Sequence, residues 1–403
     1  MKEVFMKNIQ NVTEDILAIG SNDRRLSRFE NFIPIPNGVS YNSYVILDDK
    51  TAALDTADCA VSGQFTENLL AALGGRALDY LVVQHMEPDH TANIMDILER
   101  FPDVTIISSK QAFIMLGQFF PQASGAKHIE VKEGDTLSLG KHTLHFVCAP
   151  MVHWPEVIFT YDDYSKILFS ADAFGTFGTV DGSIFADDHD FEEEYLDEAR
   201  RYYSNIVGKY GMQVQCVLKK AATLDIQTIC PLHGPVFRKD LSYILDKYMK
   251  WSSYTPESDD ILLVYSTLYG HTASAAEAVA FQLRAKTGRR VFVYDASETD
   301  TSYLISEVWR CAKVILFCPT YNNGIYPTML TFIDDMAALC VQNRTFALAE
   351  NGTWAPVTVK LMKERISALK NVKIVDTTLT IRSAMSDKDA DNLDAFTSAV
   401  AEA

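Results

Sequence analysis

The first half of the chain alternates short apolar runs with polar breaks at the spacing of strands. Tyr44-Val45-Ile46-Leu47, a polar turn at Asp48-Asp49-Lys50, and Thr51-Ala52-Ala53-Leu54 predict a hairpin. Residues 64–73 carry apolar side chains at helical spacing and stop at Gly74-Gly75, which marks a helix end. Residues 78–83 read as a short buried strand, followed by a polar loop and a helix over 92–100. Further strands are expected at 104–107, 144–147, 157–161 and 167–169. Strands with a few helices between them predict a layered α/β arrangement with the sheets inside.

The pattern changes near residue 252. Residues 252–260 read Ser-Ser-Tyr-Thr-Pro-Glu-Ser-Asp-Asp, polar and without apolar periodicity, the best linker candidate in the chain. Beyond it strands and helices alternate: strands at 261–265, 291–294, 314–317, 345–349 and 372–375, helices at 273–285, 305–312, 328–339, 357–368 and 388–401. That alternation predicts a doubly wound parallel sheet. At 403 residues the chain is too long for one ordinary core, so the expected domains are 1–251 and 261–403, joined by 252–260.

Composition adds exclusions. The net charge of −17, from 36 basic and 53 acidic residues, argues against nucleic acid, whose phosphates demand a basic face, and leaves room for a basic or neutral protein partner. The acidic run Asp187-Asp188-His189-Asp190-Phe191-Glu192-Glu193-Glu194 reads as a solvated helix start or loop. No apolar run approaches a membrane span, and residues 1–5 show no leader-like apolar region, so no membrane and a cytoplasmic location are expected. The seven cysteines (59, 148, 216, 230, 311, 318, 340) contain no Cys-x-x-Cys pair, which excludes a rubredoxin-type iron site or zinc ribbon within the chain. Most read as reduced core residues, and no disulfide is expected.

Chemistry enters at the loop after residues 78–83, Gln84-His85-Met86-Glu87-Pro88-Asp89-His90-Thr91. One His or Asp there would read as a cap or a solvated group. Four donors within six residues read as metal ligands. Alternation along an extended loop would send His85, Glu87 and Asp89 to one side and His90 elsewhere, a split that two adjacent metals can use. By contrast His128, His142, His145 and His189 read as satisfied or exposed histidines.

The loop resembles the His-x-His-x-Asp-His motif of the metallo-β-lactamase superfamily, with Glu87 in place of the second His. That resemblance implies a later His, a bridging Asp and a last His at strand ends. His153 in Val152-His153-Trp154, Asp172 in Ala171-Asp172-Ala173 and His233 in Leu232-His233-Gly234 match in order and context. Zinc sites favour imidazole and thiolate, and a carboxylate in the second position moves the preference toward iron or manganese. One division gives His85, Glu87 and His153 to one metal and Asp89, His90 and His233 to the other, with Asp172 between them. His90 is then either a permanent ligand or one that water displaces.

A second set of loops follows strands beyond the linker. Ser266-Thr267-Leu268-Tyr269-Gly270-His271-Thr272, ahead of an Ala-rich helix, offers hydroxyls and backbone N–H groups as an anion cradle. It lacks Gly-x-Gly-x-x-Gly and Gly-Lys-Ser/Thr, which excludes a dinucleotide fingerprint and a P-loop, and it resembles the phosphate loop of flavodoxins, which hold FMN. Pro319-Thr320-Tyr321-Asn322-Asn323-Gly324 and Asn351-Gly352-Thr353-Trp354 follow the third and fourth strands of this half, where such sheets bind ligands. Trp354 and Tyr321 read either as flavin-ring contacts or as partly buried packing. The fourth-strand loop opens with Glu350-Asn351, a departure from the usual flavodoxin pattern.

Together the two halves resemble a flavodiiron protein over nearly the whole chain, including Ser40-Tyr41-Asn42-Ser43-Tyr44 and Cys230-Pro231-Leu232-His233-Gly234-Pro235. The resemblance implies an α/β chain: a metallo-β-lactamase-like αββα sandwich followed by a flavodoxin-like doubly wound parallel sheet. It also implies two iron ions, FMN, and reduction of dioxygen to water, of nitric oxide to nitrous oxide, or of both. A separate electron donor, such as a rubredoxin or a flavin reductase, and a head-to-tail homodimer or dimer of dimers are implied with it. Two rivals stand beside this reading: a zinc hydrolase of the metallo-β-lactamase superfamily with an attached flavodoxin-like domain, and an electron-transfer flavoprotein whose metals are structural.

Overall fold

The computed structural model describes residues 7–403, so the N-terminal stretch 1–5 lies outside the described residues. Contacts divide the chain into two compact units, residues up to 203 with 212–248, and 204–211 with 249–403.

The first unit is built on two sheets. In the seven-stranded sheet the strands run in the order Gln10–Asn11, Ile16–Ala18, Tyr44–Leu47, Thr51–Leu54, Tyr80–Val82, Thr105–Ser109 and His128–Val131. The five-stranded sheet runs Thr136–Ser138, Thr143–Cys148, Ile158–Asp162, Ile167–Phe169 and Thr228–Cys230. Side chains alternate across a strand, and the inward set forms one core: Ile16, Tyr44, Ile46, Ala52 and Leu54 from the first sheet meet Leu144, Phe146, Ile158, Ile167 and Phe169 from the second. The other face of the first sheet carries helices, with Ser62–Leu73 packed on Tyr44–Leu47 and Lys110–Phe119 on Thr105–Ser109.

Strand direction places the chemistry. Thr51–Leu54, Tyr80–Val82 and Thr105–Ser109 are parallel neighbours, so the loops after the first two leave the same edge. In the second sheet Ile167–Phe169 is parallel to Thr228–Cys230, and two antiparallel steps make Thr143–Cys148 parallel to Ile167–Phe169. The loops carrying His153, Asp172 and His233 therefore also leave a common edge.

The second unit has the strand order Val291–Asp295, Ser258–Tyr265, Cys311–Tyr321, Thr345–Asn351, Lys373–Ile374, all parallel. This is the doubly wound order of flavodoxin-like sheets. Ile261, Leu262, Leu263 and Val264 are all buried, as a strand covered on both faces requires. Helix His271–Thr287 packs beside Ala390–Glu402, and Thr301–Arg310 beside Pro327–Ala338. Lys313 Nζ reaches Val400 O at 2.8 Å and Ala401 O at 3.1 Å, satisfying carbonyls at the end of the last helix.

The structure revises some sequence expectations and meets others. Regular structure enters the polar stretch from both sides, as helix Leu241–Ser252 and as strand Ser258–Tyr265, which carries a register shift between Ser258 and Ile261. Three of the seven cysteines, Cys230, Cys311 and Cys318, are buried; Cys59, Cys216 and Cys340 are exposed, and all seven are free thiols. The acidic run begins a helix, with Asp190 accepting from Glu193 N–H at 3.2 Å, and Arg238 pairs with Asp187 at 2.9 Å. His142, read as a satisfied histidine, is buried between Asp162 (2.8 Å) and Asp15 (3.0 Å). No helix among the described residues is long and apolar enough to cross a membrane.

Candidate metal centre and flavin cavity

Residues 84–91 do not stay extended. Pro88 opens a short helical turn, Pro88–Thr91, since its fixed φ suits a first helical position. The two-residue alternation therefore ends at Glu87, and Asp89 turns away from His85 and Glu87, contrary to the reading from an extended loop. Asp55, at φ 55°, anchors the entry: its carboxylate accepts Gln84 N–H at 2.8 Å, His85 N–H at 3.3 Å and Gln84 Nε2 at 2.9 Å. Burial raises the Asp55 pKa to about 6 despite those bonds.

The seven side chains singled out in the sequence come together as two clusters. His85, Glu87, His153 and Asp172 form one, and Asp89, His90 and His233 the other, with one candidate ligand atom per residue and those atoms within 4.8 Å of one another in each cluster. Glu87 Oε2 lies 3.1 Å from both His85 Nε2 and His153 Nε2. Asp89 lies 3.4 Å from His90 Nε2 through Oδ1 and 3.4 Å from His233 Nε2 through Oδ2. Asp172 divides its carboxylate between them. Its Oδ2 is 3.4 Å from His85 and 3.2 Å from His153, while its Oδ1 is 3.1 Å from His90 and 3.6 Å from His233.

The backbone beside these ligands is strained. Met151, Ala171 and Phe174 hold φ at 64°, 47° and 68°, values that L-residues adopt at a cost of about 1–3 kcal/mol each. Gly234 has φ 76°, and a Cβ there would stand 2.0 Å from Thr176 Cγ2, so only glycine can follow His233.

Groups that orient the ligands were not identified in the sequence. Glu156 Oε1 takes His85 Nδ1 at 2.7 Å and Met86 N–H at 2.9 Å. The carbonyl of Ser40 takes His233 Nδ1 at 2.8 Å, and its hydroxyl accepts Gly234 N–H at 2.6 Å. Each contact fixes a tautomer that leaves Nε2 free as a donor to a metal. Glu156 carries only a weak signal, its place three residues after His153, and Ser40 acts partly through its backbone. Phe29, Tyr41 and Tyr202 pack against the His233 ring at 5.5, 5.7 and 5.5 Å, and Trp154 stands edge-on to His85 at 5.2 Å.

Electrostatics test whether this set suits cations. Both oxygens of Asp89 and of Asp172, both His90 nitrogens and His233 Nε2 are buried without a well-formed hydrogen bond among the described residues. Buried polar atoms without partners are costly, so a group that engages them is expected. Burial opposes charge on His90 and His153, yet Asp89 and Asp172 at the first, and Asp172 and Glu87 at the second, raise both to about 9. Burial likewise disfavours a charged Asp172, but His90 and His85 hold it well below the usual carboxylate range. The negative potential that would hold protons on the imidazoles is what two dications relieve. Three carboxylates with four imidazoles and no cysteine sulfur suit iron.

The second unit contains a cavity of about 580 Å³, a size typical of small-molecule sites. Thr267, Leu268, Tyr269, His271 and Thr272 line it from the first loop, Pro319, Thr320, Tyr321, Asn322 and Asn323 from the second, and Asn351, Gly352, Thr353 and Trp354 from the third. Ser266, Gly270 and Gly324, also expected there, lie off the wall. Ser266 is buried 3.3 Å from Thr328 Oγ1, Gly270 is the helix N-cap at φ 93°, and Gly324 pairs with Tyr321 in a tight hairpin. Ala355 and Ser383 line it as well, unforeseen in the sequence. Asn351 ties the loops together, giving Nδ2 to Ser383 O (2.8 Å) and Thr272 Oγ1 (3.2 Å) and taking Ser383 N–H at Oδ1 (3.1 Å). Glu350, the departure noted in the fourth-strand loop, accepts Val359 N–H at 2.9 Å and Thr380 Oγ1 at 3.0 Å, so it secures the loop instead of facing the cavity. Tyr269 and Trp354, 92% and 85% exposed, stand as free aromatic faces beside backbone amides of a helix start, the pairing a phosphorylated flavin needs.

Comparison with known proteins follows the same division. A family described as ODP family beta lactamase matches residues 39–234, and one described as Flavodoxin matches residues 263–384. A nitric oxide reductase of Moorella thermoacetica is 32% identical over 366 residues, covering 89% of this chain and 90% of that protein. The structure of rubredoxin oxygen:oxidoreductase from Desulfovibrio gigas superposes with a TM-score of 0.91 at 25% identity over 98% of both chains. The flavodiiron protein of Giardia intestinalis has the same fold, with a TM-score of 0.92 at 22% identity over 100% of this chain and 97% of that one.

Proposed function

Because the chain belongs to the flavodiiron protein family, we propose that it reduces dioxygen to water, nitric oxide to nitrous oxide, or both, at two iron ions held by His85, Glu87, Asp89, His90, His153, Asp172 and His233. The observation that carries the reading is the divided Asp172 carboxylate, one oxygen toward each cluster. When bound, the iron ions would supply two electrons and a place for a diatomic gas, and FMN would supply two further electrons.

The chain's own residues bind, orient and enclose. Glu156 and the Ser40 carbonyl hold His85 and His233 with Nε2 turned inward. Asp172 keeps the two clusters in register. Phe29, Tyr41, Tyr202 and Trp154 place aromatic surface against the ligand rings, favouring a small apolar gas over water. The Tyr202 ring packs against His233, and its hydroxyl is buried without a hydrogen-bond partner among the described residues, so it would be available as a hydrogen-bond donor beside the metal centre. In the second unit the loops at 267–272, 319–323 and 351–354 hold the FMN.

The remaining assignments follow the family. Residues 1–251, apart from segment 204–211, form the di-iron domain, and 261–403 form the flavin domain, with which 204–211 groups. The linker narrows to the residues between the helix end at Ser252 and the strand start at Ser258. The family resemblance assigns the supply of electrons to a donor such as a rubredoxin or a flavin reductase. A head-to-tail homodimer, or a dimer of two such dimers, sets the flavin of one subunit against the metals of its partner. The protein works in the cytoplasm.

The test is metal analysis joined to steady-state turnover with each gas alone, using one chemical donor. Two iron per chain and sustained consumption of O2 or NO are expected. Two zinc per chain with ester or thioester hydrolysis would replace this reading by a hydrolase, and iron without turnover would replace it by an electron carrier.

A further inference from the structure

Two stretches of the first unit, Ser40-Tyr41-Asn42-Ser43-Tyr44 and Cys230-Pro231-Leu232-His233-Gly234-Pro235, lie against each other. Every second residue of the first grips the second. Ser40 holds the His233 ring through its carbonyl and Gly234 N–H through its hydroxyl. Tyr44 gives its hydroxyl proton to Pro231 O at 2.8 Å. Between them, Asn42 Nδ2 donates to Pro231 O at 2.9 Å and to Gly234 O at 2.8 Å, and Asn42 N–H to Leu232 O at 2.7 Å. Ser43 gives its hydroxyl to Leu54 O and Asp55 O instead, as alternation along an extended segment requires.

Asn42 therefore brackets His233. The ligand stands between two carbonyls held by one amide nitrogen, so the loop cannot slide without breaking both hydrogen bonds together. The same loop is tied to the segment of the shared ligand Asp172, where Leu232 N–H reaches Ala171 O at 2.9 Å. Asn42 is itself fixed by its surroundings: Ile19 N–H bonds Ser43 O at 2.8 Å, and a Cβ on Gly20 would stand 2.7 Å from Asn42 Cα, so the backbone passes there because residue 20 is glycine.

Chemistry selects the residue type. Two carbonyl oxygens face the end of this side chain, so the group there must carry two protons. An amide nitrogen does, whereas an ionised carboxylate of the same shape offers only acceptors. The Ser40 carbonyl sets how the ring turns, and Asn42 sets where the loop that carries it stands. A displaced loop would carry His233 Nε2 away from Asp89 Oδ2, now 3.4 Å distant. The first cluster is fixed by other groups, Glu156 on His85 and Asp55 on the backbone of Gln84 and His85.

We propose that Asn42 is the positioning residue for His233, setting the affinity of the metal held by Asp89, His90 and His233 and leaving that of the metal held by His85, Glu87 and His153 unchanged. The inference rests on reading the two clusters as metal sites.

Anaerobic titration of metal-free, full-length protein with ferrous ion against a competing chelator provides the test. Wild type is expected to take up two ions per chain. In Asn42→Asp one of them is expected to bind about 10–100-fold more weakly, and the other within about twofold of wild type. Tyr44→Phe keeps its ring against Phe169 and is expected to weaken one ion, and only one, roughly two- to fivefold. His233→Ala removes the ligand itself, and adding Asn42→Asp to it is expected to change the binding of the remaining ion no further. Equal weakening of both ions, or a further loss on top of His233→Ala, would make Asn42 a general support of the fold and overturn the proposal. Unchanged binding in both Asn42→Asp and Tyr44→Phe overturns it as well. Should Asn42→Asp fail to fold, Tyr44→Phe decides alone by whether it weakens one ion or both. A wild type that binds no ferrous ion overturns the metal reading, and the proposal with it.

Discussion

The two sites are built on opposite electrostatic plans. In the metal centre seven ionisable side chains are buried together, and several of their donor atoms lack hydrogen-bond partners among the described residues. In the flavin cavity the wall carries no lysine, arginine or carboxylate side chain, the Asn351 amide is engaged by neighbouring loops, and the aromatic side chains Tyr269 and Trp354 project into solvent. The difference teaches what each cofactor does for the fold. Cations relieve a buried charge cluster that the protein cannot neutralise by itself, so metal binding and local stability are coupled. A flavin covers an open crevice whose loops already hold one another, so it adds affinity without being needed to keep them in place.

Substitutions that act on one plan and spare the other sharpen this contrast. Asp172→Ala is expected to have the largest effect: removing the carboxylate shared by both clusters abolishes metal binding and gas reduction, while the FMN absorption spectrum persists. Metal analysis and visible spectroscopy check this, and loss of flavin with metals retained would show the two sites misassigned. Glu156→Gln removes the charge that orients His85 and is expected to weaken metal affinity by about 10–100-fold, read by competition with a chelator. An unchanged affinity would mean that packing, not the Glu156 bond, sets the His85 ring. Trp354→Ala is expected to have the smallest effect, weakening FMN roughly three- to tenfold as one aromatic face is lost, with metal content unchanged. If metal content fell as well, the two plans would not be independent.

Legibility in the sequence tracked the same contrast. Buried charge is so costly that four donors in six residues have little reading other than metal, and the later strand-end ligands share that property. Loops that bind a neutral, exposed ring use ordinary turn residues. Thus Ser266, Gly270 and Gly324 looked equivalent to their neighbours but serve packing, capping and a hairpin, while Ser383 offered no local signal at all. The helix Lys110–Phe119 and the strand Leu379–Ile381 were likewise absent from the periodicity reading, the second because three residues are too few to show a period.

By itself the sequence determined which residue types could meet a metal, where each strand-end loop lay along the chain, and that the second half would form a doubly wound sheet. These are local properties of composition and period. Tertiary structure decided the rest: that Pro88 turns Asp89 away from Glu87, that Asp172 faces both clusters, and that Glu156 and the Ser40 carbonyl hold the histidine rings. Those facts depend on contacts between segments as far apart as Ser40 and His233, whose meeting is set by sheet register and strand direction. No window of sequence contains that information.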